Sequence, residues 1–222
     1  PTLPEQHFFI ANELKLQGVQ PVTVAPRFIG EFQKGIDYIG ELPAFERDFA
    51  VHAAIADHFG YKLSIHSGSD KFSVFPTIGQ YTHGHFHLKT AGTSWLEAMA
   101  VVAEHAPALY REIHDFILPD AFYEATKYYH VTTNLNNIPP LDSVPDEALV
   151  TLLETNNDER QLVHITYGLI LNEKALDGSY RFRDRLYKVW RQYDKEYMQR
   201  LERHIGRHLE LLYSGFTAQK NL

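Results

Sequence analysis

Phe45, Phe49, His52, Ala56 and Phe59 recur at helical spacing, and Gly60 follows as the stop; from Tyr61 to His66 the pattern changes to a β-forming run. A switch from a 3.6-residue to a 2-residue period marks a helix feeding a strand. The same alternation is predicted elsewhere. A helix over Leu3–Leu16 places Phe8, Ala11 and Leu14, or Phe9, Ile10 and Leu14, on its inner side and ends at Gly18. Pro21–Pro26 is short and β-branched, and it delivers Arg27 to the end of a first strand. Phe28 to Pro43 reads as a long loop carrying Glu31, Lys34 and Asp37. After the second strand comes a short helix from Asp70 to Gly79. A third strand over His85–Lys89 sets His85, His87 and Lys89 on one face and Phe86 and Leu88 on the other. Ser94 and Glu97 fit a capping box for a helix over Trp95–Glu104, and helical patterning continues to Tyr129. His130–Thr133 reads as a fourth strand. Helices then cover Asp146–Glu154, Asp158–Leu171 and Ser179–Tyr213, the last with a stripe from Leu186 to Leu212, and the tail from Ser214 is expected to fray.

Strands separated by helices pair in parallel, so the expected fold is α/β, with parallel β/α units resembling the second half of a TIM-like (β/α)8 barrel and a long C-terminal helix. No linker or low-complexity tract divides the chain, which gives a single domain over 1–222: a leading helix over 1–18, four strand-helix units over 19–133 and a mainly helical remainder over 134–222. Both a barrel and an open parallel sheet bind ligands at the carboxyl ends of their strands.

Composition narrows the chemistry. The chain has 222 residues, a net charge of −7, and 21 Lys and Arg scattered among 28 acidic residues, so it lacks the basic footprint of a nucleic-acid binder. No apolar run approaches the roughly 18 residues of a membrane span and no signal segment opens the chain, which reads as cytoplasmic. Cysteine is absent, so any metal must be held by His, Asp or Glu, and 13 histidines make that feasible. The chain opens at Pro1 and enters a helical pattern almost at once, as a fragment or processed product would.

Arg27, His66, Lys89 and His130 each fall at the carboxyl end of a different predicted strand. A rim bearing a guanidinium, an ammonium and two imidazoles suits an anionic, hydroxylated substrate such as a sugar acid, with Arg27 or Lys89 for its carboxylate. His66 and His130 are candidate metal ligands, each weighed against a partly buried histidine bonded to backbone; Asp37 and Asp70 are the nearest carboxylates, and Asp70 alternatively caps its helix. Ser67 and Ser69 read as hydrogen-bonders to substrate. His204 and His208 stand four apart but lack the acidic neighbour of a metalloprotease pair, so they read as solvated or packing residues. There is no dinucleotide fingerprint, P-loop or nucleophile elbow.

The strings FQKGIDYIG, HFGYKLSIHSGSDKFSVFPTIG, HLKTAGTSWLEA, KYYHVTT and ERHIGRHLELL together resemble the tagaturonate/fructuronate epimerase family, over nearly the whole chain. The resemblance implies a metal-dependent TIM-like barrel enzyme about twice this length, of which this chain is similar to the carboxyl-terminal half. The implied reaction inverts a hydroxyl-bearing carbon whose C–H is not acidic, which a retro-aldol route accomplishes. On that reading His66 and His130 ligate a divalent ion (zinc, manganese or nickel), while Arg27 and Lys89 bind carboxylate or developing oxyanion. Asp37, Asp70 and Lys89 form the catalytic group, with a carboxylate moving protons, and Lys34, Ser67, Ser69, Lys71 and Thr90 join Arg27 around the substrate. The alternatives are a non-catalytic half-barrel that needs a second copy or an amino-terminal half, and a related metal-dependent isomerase of neutral ketohexoses.

Overall fold

The computed structural model describes residues 1–90 and 92–218. In chain order the elements are α1 (Pro4–Leu16), β1 (Thr23–Val24), α2 (Leu42–Phe59), β2 (Lys62–Ile65), α3 (Phe75–Thr82), β3 (Phe86–Leu88) and α4 (Thr93–His105). Then come α5 (Pro107–Phe116), α6 (Phe122–Thr126), α7 (Leu149–Thr155), α8 (Asn157–Ile165), α9 (Tyr167–Asn172), α10 (Arg183–Gln192) and α11 (Asp194–Ala218). They divide into two compact units, one of Pro1–Gln33, Asp37–Ala91 and His204–Leu222, the other of Lys34–Ile36 and Gly92–Arg203.

The first unit holds a parallel three-stranded sheet in the order β1-β2-β3, with Val24 opposite Leu63 and Ile65 opposite Leu88. Leu63 and Ile65 are buried with Phe45, Phe49, Ala53 and Ala56 of α2, which is why the apolar stripe of that helix is so regular. Gly60 closes α2 at φ 77°, a left-handed conformation that costs glycine little. The end of α11 packs on α3 backbone to backbone: a methyl group on Gly79 would collide with the Leu212 carbonyl, and one on Gly215 with that of Pro76.

Of the two apolar faces expected on α1, that of Phe8, Ala11 and Leu14 meets α2: Ala11 is buried, Leu14 half-buried, and the partly exposed Phe8 ring lies 5.3 Å from that of Phe59, whereas Phe9 and Ile10 are exposed. Beside this apolar contact His7 enters a buried polar chain. His7 Nδ1 lies 2.8 Å from His52 Nδ1, the Tyr61 hydroxyl is 2.7 Å from His7 Nε2, and His52 Nε2 faces Asp48 Oδ2 at 3.7 Å. Burial, reinforced by the His52 imidazole, pushes His7 down to about 4, and burial pushes the Tyr61 phenol up to about 12, so both of these groups are neutral near pH 7.

The second unit is helical, around a core that includes Met99, Val102, Tyr110, Ile113, Leu149, Leu162, Phe182 and Leu186. Within it Glu159 is fully buried, accepting from the Tyr110 hydroxyl at 2.6 Å and lying 3.0 Å from His114 Nε2, while its N–H caps onto Asn156. Arg200 joins Glu104 and Glu154, each at 2.9 Å.

Several expected elements are corrected. The fourth strand does not form: 130–133 has no regular structure, and its end is tied to α8 instead of a sheet, the Thr133 hydroxyl donating to Gln161 and the Asn134 N–H to Asp158. The barrel-like series of four units is therefore, among the described residues, a three-stranded parallel sheet. The helix after β2 starts at Phe75, not Asp70, since Asp70 at φ 62° cannot enter a right-handed helix, and so Asp70 caps nothing. No Ser94 capping box forms, because Gly92 at φ 88° starts α4 two residues earlier. The helix expected over Asp158–Leu171 breaks at Thr166, whose hydroxyl bonds back to the Leu162 carbonyl at 2.7 Å. The long last helix breaks at Tyr193, φ −117° and ψ 39°, and then runs on through Ala218 instead of fraying at Ser214.

Candidate functional site

Because the three strands are parallel and adjacent, whatever follows them leaves the sheet at one edge. Arg27 follows β1, His66 is the residue after β2, and Lys89 is the residue after β3, all three exposed. The edge is pinned past the strand ends by backbone bonds from the Lys89 N–H to the Ile65 carbonyl and from the Gly68 N–H to the Lys89 carbonyl, both 3.0 Å. Arg27 is tied by its own backbone, its N–H to Thr2 Oγ1 at 2.9 Å and its carbonyl accepting from the Thr2 N–H at 2.7 Å. One register step inside the edge, Ser64 Oγ and His87 Nδ1 meet across the strands at 2.7 Å. His130, the fourth residue expected at the edge, belongs to the second unit and follows no strand.

The loop after β2 is unusually constrained. Ser67 and Asp70 both hold positive φ, 51° and 62°, at a cost of about 1 kcal/mol each for residues other than glycine. Ser67 is half-buried and Ser69 buried. Lys71 is fully buried, its ammonium donating to the Gln33 carbonyl at 2.7 Å and the Ser69 carbonyl at 3.0 Å, so it braces the loop. Asp37 is half-buried and accepts from the Ser73 hydroxyl at 2.9 Å and the Tyr38 N–H at 2.7 Å, and Thr90 is exposed beyond Lys89. Lys34 lies in the second unit, where Gln161 Nε2 donates to its carbonyl at 3.3 Å and Arg160 Nε donates to the Gly35 carbonyl at 2.7 Å. A cavity of about 520 Å³ lies at the opposite end of β2, lined by Ala53, Tyr61, Lys62, His83 and His85 among others.

Asp70 also takes part in a cluster that the sequence pattern did not disclose. Its carboxylate oxygen Oδ1 is 2.9 Å from His204 Nε2, and its N–H donates to His208 Nε2 at 3.2 Å. One ligand atom from each of Asp70, His204 and His208 lies within 4.8 Å of the others, making this the group of three donors among the described residues that could hold a metal ion. His208 Nδ1 donates to the His204 carbonyl at 2.7 Å, which leaves the Nε2 lone pair aimed at Asp70. Burial holds the His208 imidazole below its ordinary range, against the pull of that carbonyl bond. Neither His66 nor His130 belongs to this group. The four-residue spacing of the histidines was visible in the sequence; their acidic partner was not, because it comes from a distant loop rather than from the same helix.

Residues 1–212 match the family model described as UxaE, tagaturonate epimerase. A tagaturonate/fructuronate epimerase of Thermotoga maritima is 46% identical over 213 residues, covering 96% of this chain and 43% of that protein. The native crystal structure of fructuronate-tagaturonate epimerase from Cohnella laeviribosi is 59% identical, with a TM-score of 0.93 over 96% of this chain and 43% of that one. A crystal structure of the same enzyme with one glycerol bound gives the same identity, coverage and TM-score. The chain thus spans less than half the length of these relatives, and it is a member of the tagaturonate epimerase family.

Proposed function

We propose that this chain supplies part of the active site of an epimerase that interconverts tagaturonate and fructuronate, its parallel sheet forming an arc of a (β/α) barrel. The observation that carries the reading is the common sheet edge at which Arg27, His66 and Lys89 emerge. The carbon to be inverted lies two bonds from the ketone, so its C–H is not acidified and simple enolisation does not reach it. In a retro-aldol route a base removes the hydroxyl proton at that carbon, and the C–C bond toward the ketone breaks. The electron pair goes to the ketone side as an enediolate, and the aldehyde turns before the bond re-forms on its other face.

Arg27 is suited to holding the substrate carboxylate, in the bidentate manner guanidinium favours, while the aldehyde turns about the bond beside it. Lys89 brings an ammonium to the same edge for the developing oxyanion. Asp37, already an acceptor of hydroxyl and amide protons, is the carboxylate assigned to proton transfer. A divalent ion, when bound, would neutralise the enediolate, and His66 is the imidazole at this edge with the donor chemistry to hold it.

The test is to incubate tagaturonate in D2O with the chain, alone and with the amino-terminal portion of the Thermotoga maritima relative, and to follow fructuronate by NMR. Formation of fructuronate with hydrogen, not deuterium, at the inverted carbon supports the reading. Deuterium there refutes the route, and turnover of neutral ketohexoses but not uronates refutes the substrate class.

A further inference from the structure

We infer that Asp70, His204 and His208 form a divalent-cation site of the zinc class that fastens α11 to the loop following β2. One carboxylate and two imidazoles are a donor set shared by zinc, cobalt and nickel. The histidines stand four apart on α11, which puts both rings on one helical face, and Asp70 meets them from the loop. His208 has the backbone support that ligating histidines use, its Nδ1 donating to the His204 carbonyl at 2.7 Å, and an ion would replace the long 3.2 Å bond that Nε2 accepts from the Asp70 N–H. His204 Nε2 and Asp70 Oδ1, 2.9 Å apart, need to separate only slightly to reach the spacing of about 3.3 Å set by bonds of 2.0–2.1 Å to a tetrahedral ion.

Burial separates this group from a metal that must exchange water for substrate. Asp70 and His208 are each 3% exposed. The Phe72 ring lies 4.9 Å from the His208 ring and 5.8 Å from that of His204, and Phe75 lies 5.2 Å from His208. Donors this deep suit an ion held for structure, whose ligation adds directly to folding. The inference goes beyond the epimerase reading and does not require it, because it concerns a helix held to a loop and is measured without turnover.

The tag-free chain, stripped with chelator, is titrated with zinc alone by equilibrium dialysis with elemental analysis, and with cobalt alone to read ligand-field absorption. We expect one ion per chain, a cobalt spectrum of histidine ligation, slower proteolysis within α11 when zinc is present, and affinity weakened by about 100-fold in His204→Gln and His208→Gln. Asp70→Asn keeps the size of the side chain and a partner for His204, so it tests the carboxylate should a histidine variant misfold by circular dichroism; it too should lose zinc affinity. His58→Gln, at an exposed histidine of α2 outside the cluster, should bind as the native chain does. The inference is overturned if the native chain takes up neither zinc nor cobalt, if Asp70→Asn binds as tightly as native, or if folded His204→Gln and His208→Gln keep the native affinity.

Discussion

Acid should loosen the contact between α1 and α2 at a pH set by His7. In the unfolded chain His7 titrates near its ordinary value of 6.5, whereas in the fold burial and the adjacent His52 push it down to about 4. A depressed value means that the unfolded state binds the proton first, so the stability present above pH 6.5 is lost as pH falls toward 4. His7 alone therefore contributes a loss of about 2.5 kcal/mol between pH 7.5 and pH 4.5. His52, also lowered by burial but partly compensated by Asp48, adds in the same direction. The perturbation is His7→Gln, which cannot titrate. It should be less stable than the native chain at pH 7.5, having lost its fit to His52 and Tyr61, and should then close most of that gap by pH 4.5. Urea unfolding followed by far-UV circular dichroism at several pH values provides the comparison. Tryptophan fluorescence is the wrong probe, because Trp95 and Trp190 both lie in the second unit. A native-minus-variant difference that stays constant across this range would refute the assignment.

Other consequences are equally direct. Gly92→Ala should destabilise the second unit by about 2–3 kcal/mol in thermal or urea unfolding, since it places a side chain at φ 88° and drives a methyl group into His164 Nε2. Glu159→Leu should cost about 3 kcal/mol by the same measurement, leaving the buried Tyr110 hydroxyl and His114 ring without their acceptor. In an assembly that turns over uronates, Arg27→Met should raise KM for tagaturonate by about tenfold or more while leaving any activity on neutral ketohexoses unchanged. Equal loss on both substrates would remove Arg27 from carboxylate recognition.

Much of the first unit was legible because its signals are local. The α2 stripe, the Gly60 stop and the alternation through β2 and β3 each follow from the geometry of a few neighbouring residues, and with them the positions of Arg27, His66 and Lys89 at strand ends. What escaped depends on partners far along the chain. His130–Thr133 has strand composition, yet Gln161 and Asp158 supply bonds that no local rule anticipates. His7 is buried on α1 against the expectation of its polarity because His52 and Tyr61 supply its partners. The acidic partner of His204 and His208 could not be read from α11, since Asp70 reaches them from a loop whose left-handed turns replace the helix start that its composition suggests.

The seam at Gly79 and Gly215 bears on how the chain tolerates shortening. Where two backbones touch with no side chain between them, there is no compressible cushion, and displacement of one rod is passed to the other undiminished. Trimming the carboxyl terminus back past Gly215 would therefore reach, through α3, the braced loop ahead of it, which begins one residue after His66. Apparent dispensability of those last turns in an expression trial would be a poor guide to whether the sheet edge is still correctly presented.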